Sequence, residues 1–174
     1  EESFRWVHDK VQEAAISLGN ASKPSFQNEI GTALIQNLSP QELEIALFNV
    51  VDLINSGAHH HKQIVYADLN IRAAQKARRL SAFERAANYV RNGISFLPED
   101  CWTSCKETTL RLYTVGAETE LALSHTDIME SYSREVLLNE ACNTMEKFPL
   151  YMVELFKLST IDQNHEQTHH FSLS

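Results

Sequence analysis

Imidazole both binds metals and moves protons near neutral pH, and six of the eight histidines fall into two clusters. These are His59-His60-His61 and His165 with His169 and His170. Helical i,i+4 spacing would put His165 and His169 on one face, a pair suited to zinc, copper or nickel. The first cluster reads as a loop between helices and the second as a polar tail. No carboxylate or thiolate completes either set, so no metal site is assigned. Cys101 and Cys105 share the same i,i+4 spacing without a further cysteine pair, and read as core thiols.

Other chemistry is sparse. There is no glycine-flanked serine elbow and no cysteine in an activating context. Glu118, Glu120, Asp127, Glu130 and Glu135 read as the solvated faces of long helices. Arg72, Lys76 and Arg79 form a basic strip at i,i+4,i+7, which would either dock an acidic partner or simply face water. None of the five glycines begins a G-x-x-x-x-G-K-[ST] run, so no backbone cradle for a nucleotide is expected. No catalytic residue and no cofactor of its own is assigned, and the segment reads as non-enzymatic.

Composition bounds the rest. With 174 residues, 43% hydrophobic and 22% charged, the chain is long enough to bury a core and is not disordered in type. A net charge of −8 argues against a nucleic-acid partner, which needs a basic footprint. No run approaches ~18 apolar residues, so no membrane partner is expected. Three cysteines and no secretory leader make a reducing, cytoplasmic setting the expectation. Glu1 opens inside an ordered-looking pattern, which suggests an internal piece of a longer polypeptide.

The elements that must position these residues are helical. Phe4 to Val7 reads as a short strand, and His8 to Leu18 as a helix stopped by Gly19-Asn20. A second helix is expected from Phe26 to Leu38. Ser39-Pro40-Gln41-Glu42 then starts a third: serine as cap, proline first, glutamate closing the capping box. It presents Leu43, Ala46, Leu47, Val50, Leu53 and Ile54 and stops near Gly57.

From Lys62 to Leu80 two apolar flanks appear, Ile64, Ala67, Ile71 and Ala74 on one side and Leu69, Ala73, Ala77 and Leu80 on the other. A helix apolar on two sides is sandwiched between neighbours. Its partner starts at Ser81 and turns Phe83, Ala86, Ala87, Val90, Gly93, Ile94 and Leu97 inward. A mid-helix glycine costs ~1 kcal/mol against alanine, so Gly93 predicts close approach by another helix. Further helices are expected at Trp102 to Leu123, Asp127 to about Met145 (with Ile128, Tyr132 and Leu137 inside), and Leu150 to Leu158 after Phe148-Pro149. That last helix has an apolar face and no partner after it. Residues 159–174 read as a polar, disordered tail.

Against a tetratricopeptide pattern of about 34 residues, Ala74, Phe83, Ala86, Val90, Gly93 and Pro98 fall at the small, aromatic, alanine, bulky, small and proline positions. The early tryptophan and leucine positions do not match. The expected fold is therefore all-α, antiparallel helical hairpins in a right-handed, tetratricopeptide-like array.

Three stretches together resemble one known arrangement. FRWVHDKVQEAA (4–15) resembles the end of the winged-helix segment in signal-transduction ATPases with numerous domains. ADLNIRAAQKA (67–77) resembles the first helix of the tetratricopeptide-like region that follows the ATPase. Phe83 to Pro98 and Trp102 through Tyr113 continue the likeness. It implies a winged-helix remnant over 1–22, a repeat region over 23–158, and a parent fused to protein kinase, histidine kinase or cyclase domains. It further implies that His8 senses bound ATP or ADP in the parent, with Asp9 as its orienting partner. From the residues alone, Asp9 instead caps a helix. The implied role is regulatory: a segment coupling nucleotide state to neighbouring domains of the same polypeptide or to protein partners. The alternative is a stand-alone adaptor binding a peptide or protein.

Overall fold

The computed structural model describes residues 24–57 and 63–171, with side-chain environments over 26–57 and 63–159. Among these residues the chain is all-helical, with no strand. His8 and Asp9, the segment 1–22 and His59 to His61 lie outside the described residues.

The helices are α1 (Pro24–Asn37), α2 (Pro40–Gly57), α3 (Ile64–Arg79), α4 (Phe83–Ser95), α5 (Cys101–Ser104), α6 (Lys106–Ala122), α7 (Thr126–Leu137) and α8 (Thr144–Phe171). Consecutive members α1/α2, α3/α4 and α6/α7 pair most extensively. The two-residue connection between α1 and α2, and the three-residue ones within the other pairs, turn each chain back on itself. α6 then packs on both α3 and α4, and α8 on both α6 and α7.

Local chemistry sets these boundaries. At the start of α2 the Glu42 carboxylate accepts from the Ser39 N–H at 2.9 Å and from its hydroxyl at 2.8 Å, the expected capping box. Two helices end in left-handed serines, Ser81 (φ 58°) and Ser124 (φ 61°). In each turn the following N–H reaches back five residues, Ala82 to Ala77 and His125 to Glu120, both at 2.9 Å. That is the Schellman closure, with serine where glycine is usual.

Three boundaries depart from the sequence expectation. The helix expected from Trp102 breaks at Cys105 (φ −146°, ψ 45°), so α5 and α6 are separate. The Thr109 hydroxyl spans the break, lying within hydrogen-bonding reach of the Cys101 carbonyl at 3.3 Å and the Cys105 carbonyl at 3.0 Å. α7 stops at Leu137 rather than near Met145, because Asn139 turns the chain, its side-chain oxygen accepting the Ala141 N–H at 2.9 Å. α8 starts at Thr144 rather than after Pro149, since Asn143 and Glu146 form a second reciprocal cap at 2.8 and 3.0 Å. It carries Pro149 within it and runs on through Phe171, with no glycine or proline after Pro149 to stop it.

The core has two parts. The larger joins α2, α3 and α4 to Leu112 and Val115 of α6; the smaller holds Ala117, Met129, Val136, Cys142, Leu150 and Val153. Tyr113 and Tyr132 meet edge to face at 5.8 Å and touch both parts. α3 is sandwiched as its two flanks require, although its end residues Ile64 and Leu80 are exposed. On α7 the buried face is Met129, Ser133 and Val136, and Ile128 stays outside.

Gly93 and Gly116 explain how α4 and α6 approach so closely. A Cβ on Gly93 would lie 2.6 Å from Leu112 Cδ2 and 3.1 Å from Asn70 Cβ. One on Gly116 would lie 2.8 Å from the Tyr132 ring and 2.9 Å from Val90 Cγ1. Each helix thus offers a glycine to a branched side chain of the other.

Candidate functional site

α8 has two apolar faces. Leu150 and Val153 are buried against α6 and α7. On the other side Met145, Phe148, Tyr151, Leu155 and Leu158 recur every three or four residues and are 45–79% exposed. The helix is held in this orientation by ion pairs at each end of its packed face. Lys106 of α6 bonds Glu146 at 2.8 Å, and Lys157 bonds Glu130 of α7. The Lys106 bond holds the Glu146 carboxyl below its ordinary range, and the Lys157 bond does the same for Glu130. Leu138, just past α7, is exposed beside this helix in sequence.

A second feature is a buried carboxylate. Glu120, expected on a solvated face, has a side chain only 1% exposed. Its oxygens are bonded by Arg91 Nη1 of α4 at 2.9 Å and by His125 Nδ1 at 2.8 Å. A charge so far from water requires such partners. Burial and then the Glu120 charge push the nearby Tyr132 phenol above its ordinary value. The node links α4, the C-terminal turn of α6 and the turn into α7.

A third feature ties α2 to α4. Tyr89 donates its hydroxyl to Asp52 Oδ1 at 2.8 Å, while Arg85 bonds Asp52 Oδ2 at 2.8 Å and the Tyr89 oxygen at 2.9 Å. The Arg85 guanidinium lies 4.4 Å from the centre of the Phe48 ring, which itself stacks on Tyr89. Burial and then the hydrogen bond to Asp52 raise the Tyr89 phenol. Just below, Asn55 and the fully buried Asn70 exchange two carboxamide hydrogen bonds, at 2.9 and 3.0 Å.

The other sequence candidates are dispersed. Arg72 and Lys76 both turn to Glu44 of α2 and share its single negative charge, while Arg79 is exposed. Cys101 and Cys105 are half-buried at the edge of the larger core. Glu118 pairs with Arg78, and Asp127 and Glu135 are exposed. α8 includes positions 165, 169 and 170 in its backbone. No helix among the described residues is long and apolar enough to cross a membrane.

The sequence periodicity missed the Glu120 node. Thr109, Leu112, Gly116 and Thr119 recur at helical spacing, and Glu120 lies one turn beyond Gly116 on that face. Comparison with known protein families, with curated proteins and with solved structures finds no match.

Proposed function

We propose that this chain is part of a tetratricopeptide-like helical array that serves as a protein-interaction scaffold. The outer face of α8 would receive a further helical hairpin. One observation carries this reading: α8 sits on α6 and α7 as α6 sits on α3 and α4, yet its second apolar face has no neighbour among the described residues. An array propagates by such stacking, each unit covering the apolar face of the one before. Covering these side chains would be worth on the order of 1 kcal/mol each.

The wider setting rests on the resemblance. In it the array follows an ATPase domain in a cytoplasmic, multidomain signalling protein linked to a kinase or cyclase. ATP or ADP binds in the parent, His8 with Asp9 reports its state, and neighbouring domains receive the signal. The chain itself would be non-catalytic. A stand-alone adaptor for a peptide or protein partner is the second reading, favoured by the same open face.

Phe148→Glu combined with Leu155→Glu tests the docking face. In the chain alone the pair should change unfolding free energy by less than about 1 kcal/mol, the usual range for exposed positions. In the full polypeptide it should remove the extra hydrogen-exchange protection that Tyr151 to Leu158 gain there over the chain alone. Unchanged protection there would refute a covered α8.

A further inference from the structure

The turn between α3 and α4 holds an arginine pair and an unengaged serine. Arg78-Arg79-Leu80-Ser81 is the one place in the sequence where two arginines stand together, and the serine follows the second by two residues. Arg79, Leu80 and Ser81 are all exposed. Arg79 is the member of the basic strip without an acidic partner among the described residues. The Ser81 hydroxyl makes no hydrogen bond among them either. It is an accessible nucleophile with two guanidinium groups just before it.

A protein kinase takes its substrate as an extended segment, so Arg78 to Ala82 must leave the helix end before transfer. Opening releases the Ser81 N–H from the Arg78 carbonyl, the Ala82 N–H from the Ala77 carbonyl, and the ion pair of Arg78 with Glu118. It exposes little apolar surface. Leu80 is already 66% exposed, and Ala82 packs only partly buried against the core. The left-handed backbone at Ser81 (φ 58°) carries strain that opening relieves.

We propose that Ser81 is a phosphorylation site for an arginine-directed serine kinase. Such a kinase has acidic subsites that take guanidinium groups two and three residues before the acceptor. Ser81 Oγ attacks the γ-phosphorus of ATP, and the bond from that phosphorus to the β,γ-bridging oxygen breaks. ADP leaves, and the hydroxyl proton passes to the kinase's catalytic aspartate. The phosphate lies between the C-terminal end of α3, which opposes an anion, and the N-terminal end of α4, which favours one and has no side-chain cap. The site is separate from the outer face of α8 and does not depend on it.

The test incubates the folded chain with ATP, magnesium and the purified catalytic subunit of cyclic-AMP-dependent protein kinase, an arginine-directed enzyme. Tandem mass spectrometry then locates the phosphate, which should be on Ser81. Arg79→Ala removes an exposed, unpaired side chain and should lower kcat/KM about tenfold or more, as loss of a charge-assisted contact implies. Ser81→Gly, whose backbone suits the same turn, should take up no phosphate there while keeping the parent's ellipticity. No transfer to the folded chain would overturn the proposal, and transfer to a free peptide of residues 75–87 alone would show that the turn stays closed to a kinase. Phosphate found only on other residues, or a rate at Ser81 indifferent to Arg79→Ala, would overturn it as well.

Discussion

Glu120 is where charge and burial conflict most sharply. Its carboxylate reaches no water and depends on Arg91 and His125. Arg91 is itself nearly half exposed, so its removal costs less than the 3–5 kcal/mol typical of fully buried pairs. Arg91→Ala should destabilise the chain by about 1–3 kcal/mol in urea unfolding. Glu120→Gln/Arg91→Ala should be less unstable than the sum of the single changes, because no charge is then left stranded. Strict additivity would show that the pair is not coupled. Residue type hid this site from the sequence, since a glutamate in a long helix is most often solvated. Only the spacing of the small and apolar residues around it pointed inward. Gly93 was legible for the opposite reason: its residue type, costly in a helix, signalled a contact that the structure contains.

Among the elements, the hairpin turns carry a correctable strain. Ser81 and Ser124 adopt the left-handed backbone that glycine tolerates without penalty. Ser81→Gly and Ser124→Gly should each stabilise by about 0.5–1 kcal/mol, raising Tm by a few degrees in calorimetry. A lowered Tm would mean the serine side chains contribute more than the strain costs. The helix starts respond to acid. Hydrogen bonds from Ser39 hold Glu42 below the ordinary 4.5, and those from Lys106 and Asn143 do the same for Glu146. A carboxylate with a depressed folded value stabilises above 4.5, and that stability is lost as pH falls through the folded value. The first turns of α2 and α8 should therefore lose hydrogen-exchange protection below about pH 4.5, while the α3/α4 pair keeps its own. Ser39-x-x-Glu42 is legible in the sequence, whereas Asn143-x-x-Glu146 is obscured by the Phe148-Pro149 pair just after it. Pro149 then suggested a start that the upstream cap had already supplied. Nothing in the pattern marks the break at Cys105, where the chain departs from helix within a favourable stretch.

Across the whole molecule, one buried phenol, Tyr89, and two half-buried ones, Tyr113 and Tyr132, report on integrity. Burial pushes Tyr113 up to about 12 and raises Tyr89 and Tyr132 as well, so their ordinary value of 10 applies only once the chain unfolds. A raised folded value contributes stability that is complete below pH 10 and is lost as pH rises through the folded values. Absorbance at 295 nm should show these tyrosines ionising together with the loss of ellipticity; ionisation well before unfolding would contradict their burial. The helical class and the sandwiched α3 were legible because small and apolar residues repeat at helical spacing on two flanks. The stacking of one pair on the next was less so, since it depends on side chains far apart in sequence, such as Val90 against Gly116.

The most direct measurement is photo-crosslinking in the full polypeptide from a benzophenone placed at Leu155, with Arg134 on α7 as the exposed control. A docked hairpin predicts strong crosslinks from Leu155 to one segment with apolar residues at i, i+3 or i+4, and i+7. Crosslinks within the polypeptide would support the array, and crosslinks to a second protein the adaptor. Yields no higher than the Arg134 control, or products scattered over unrelated segments, would contradict the reading of α8 as an interaction face.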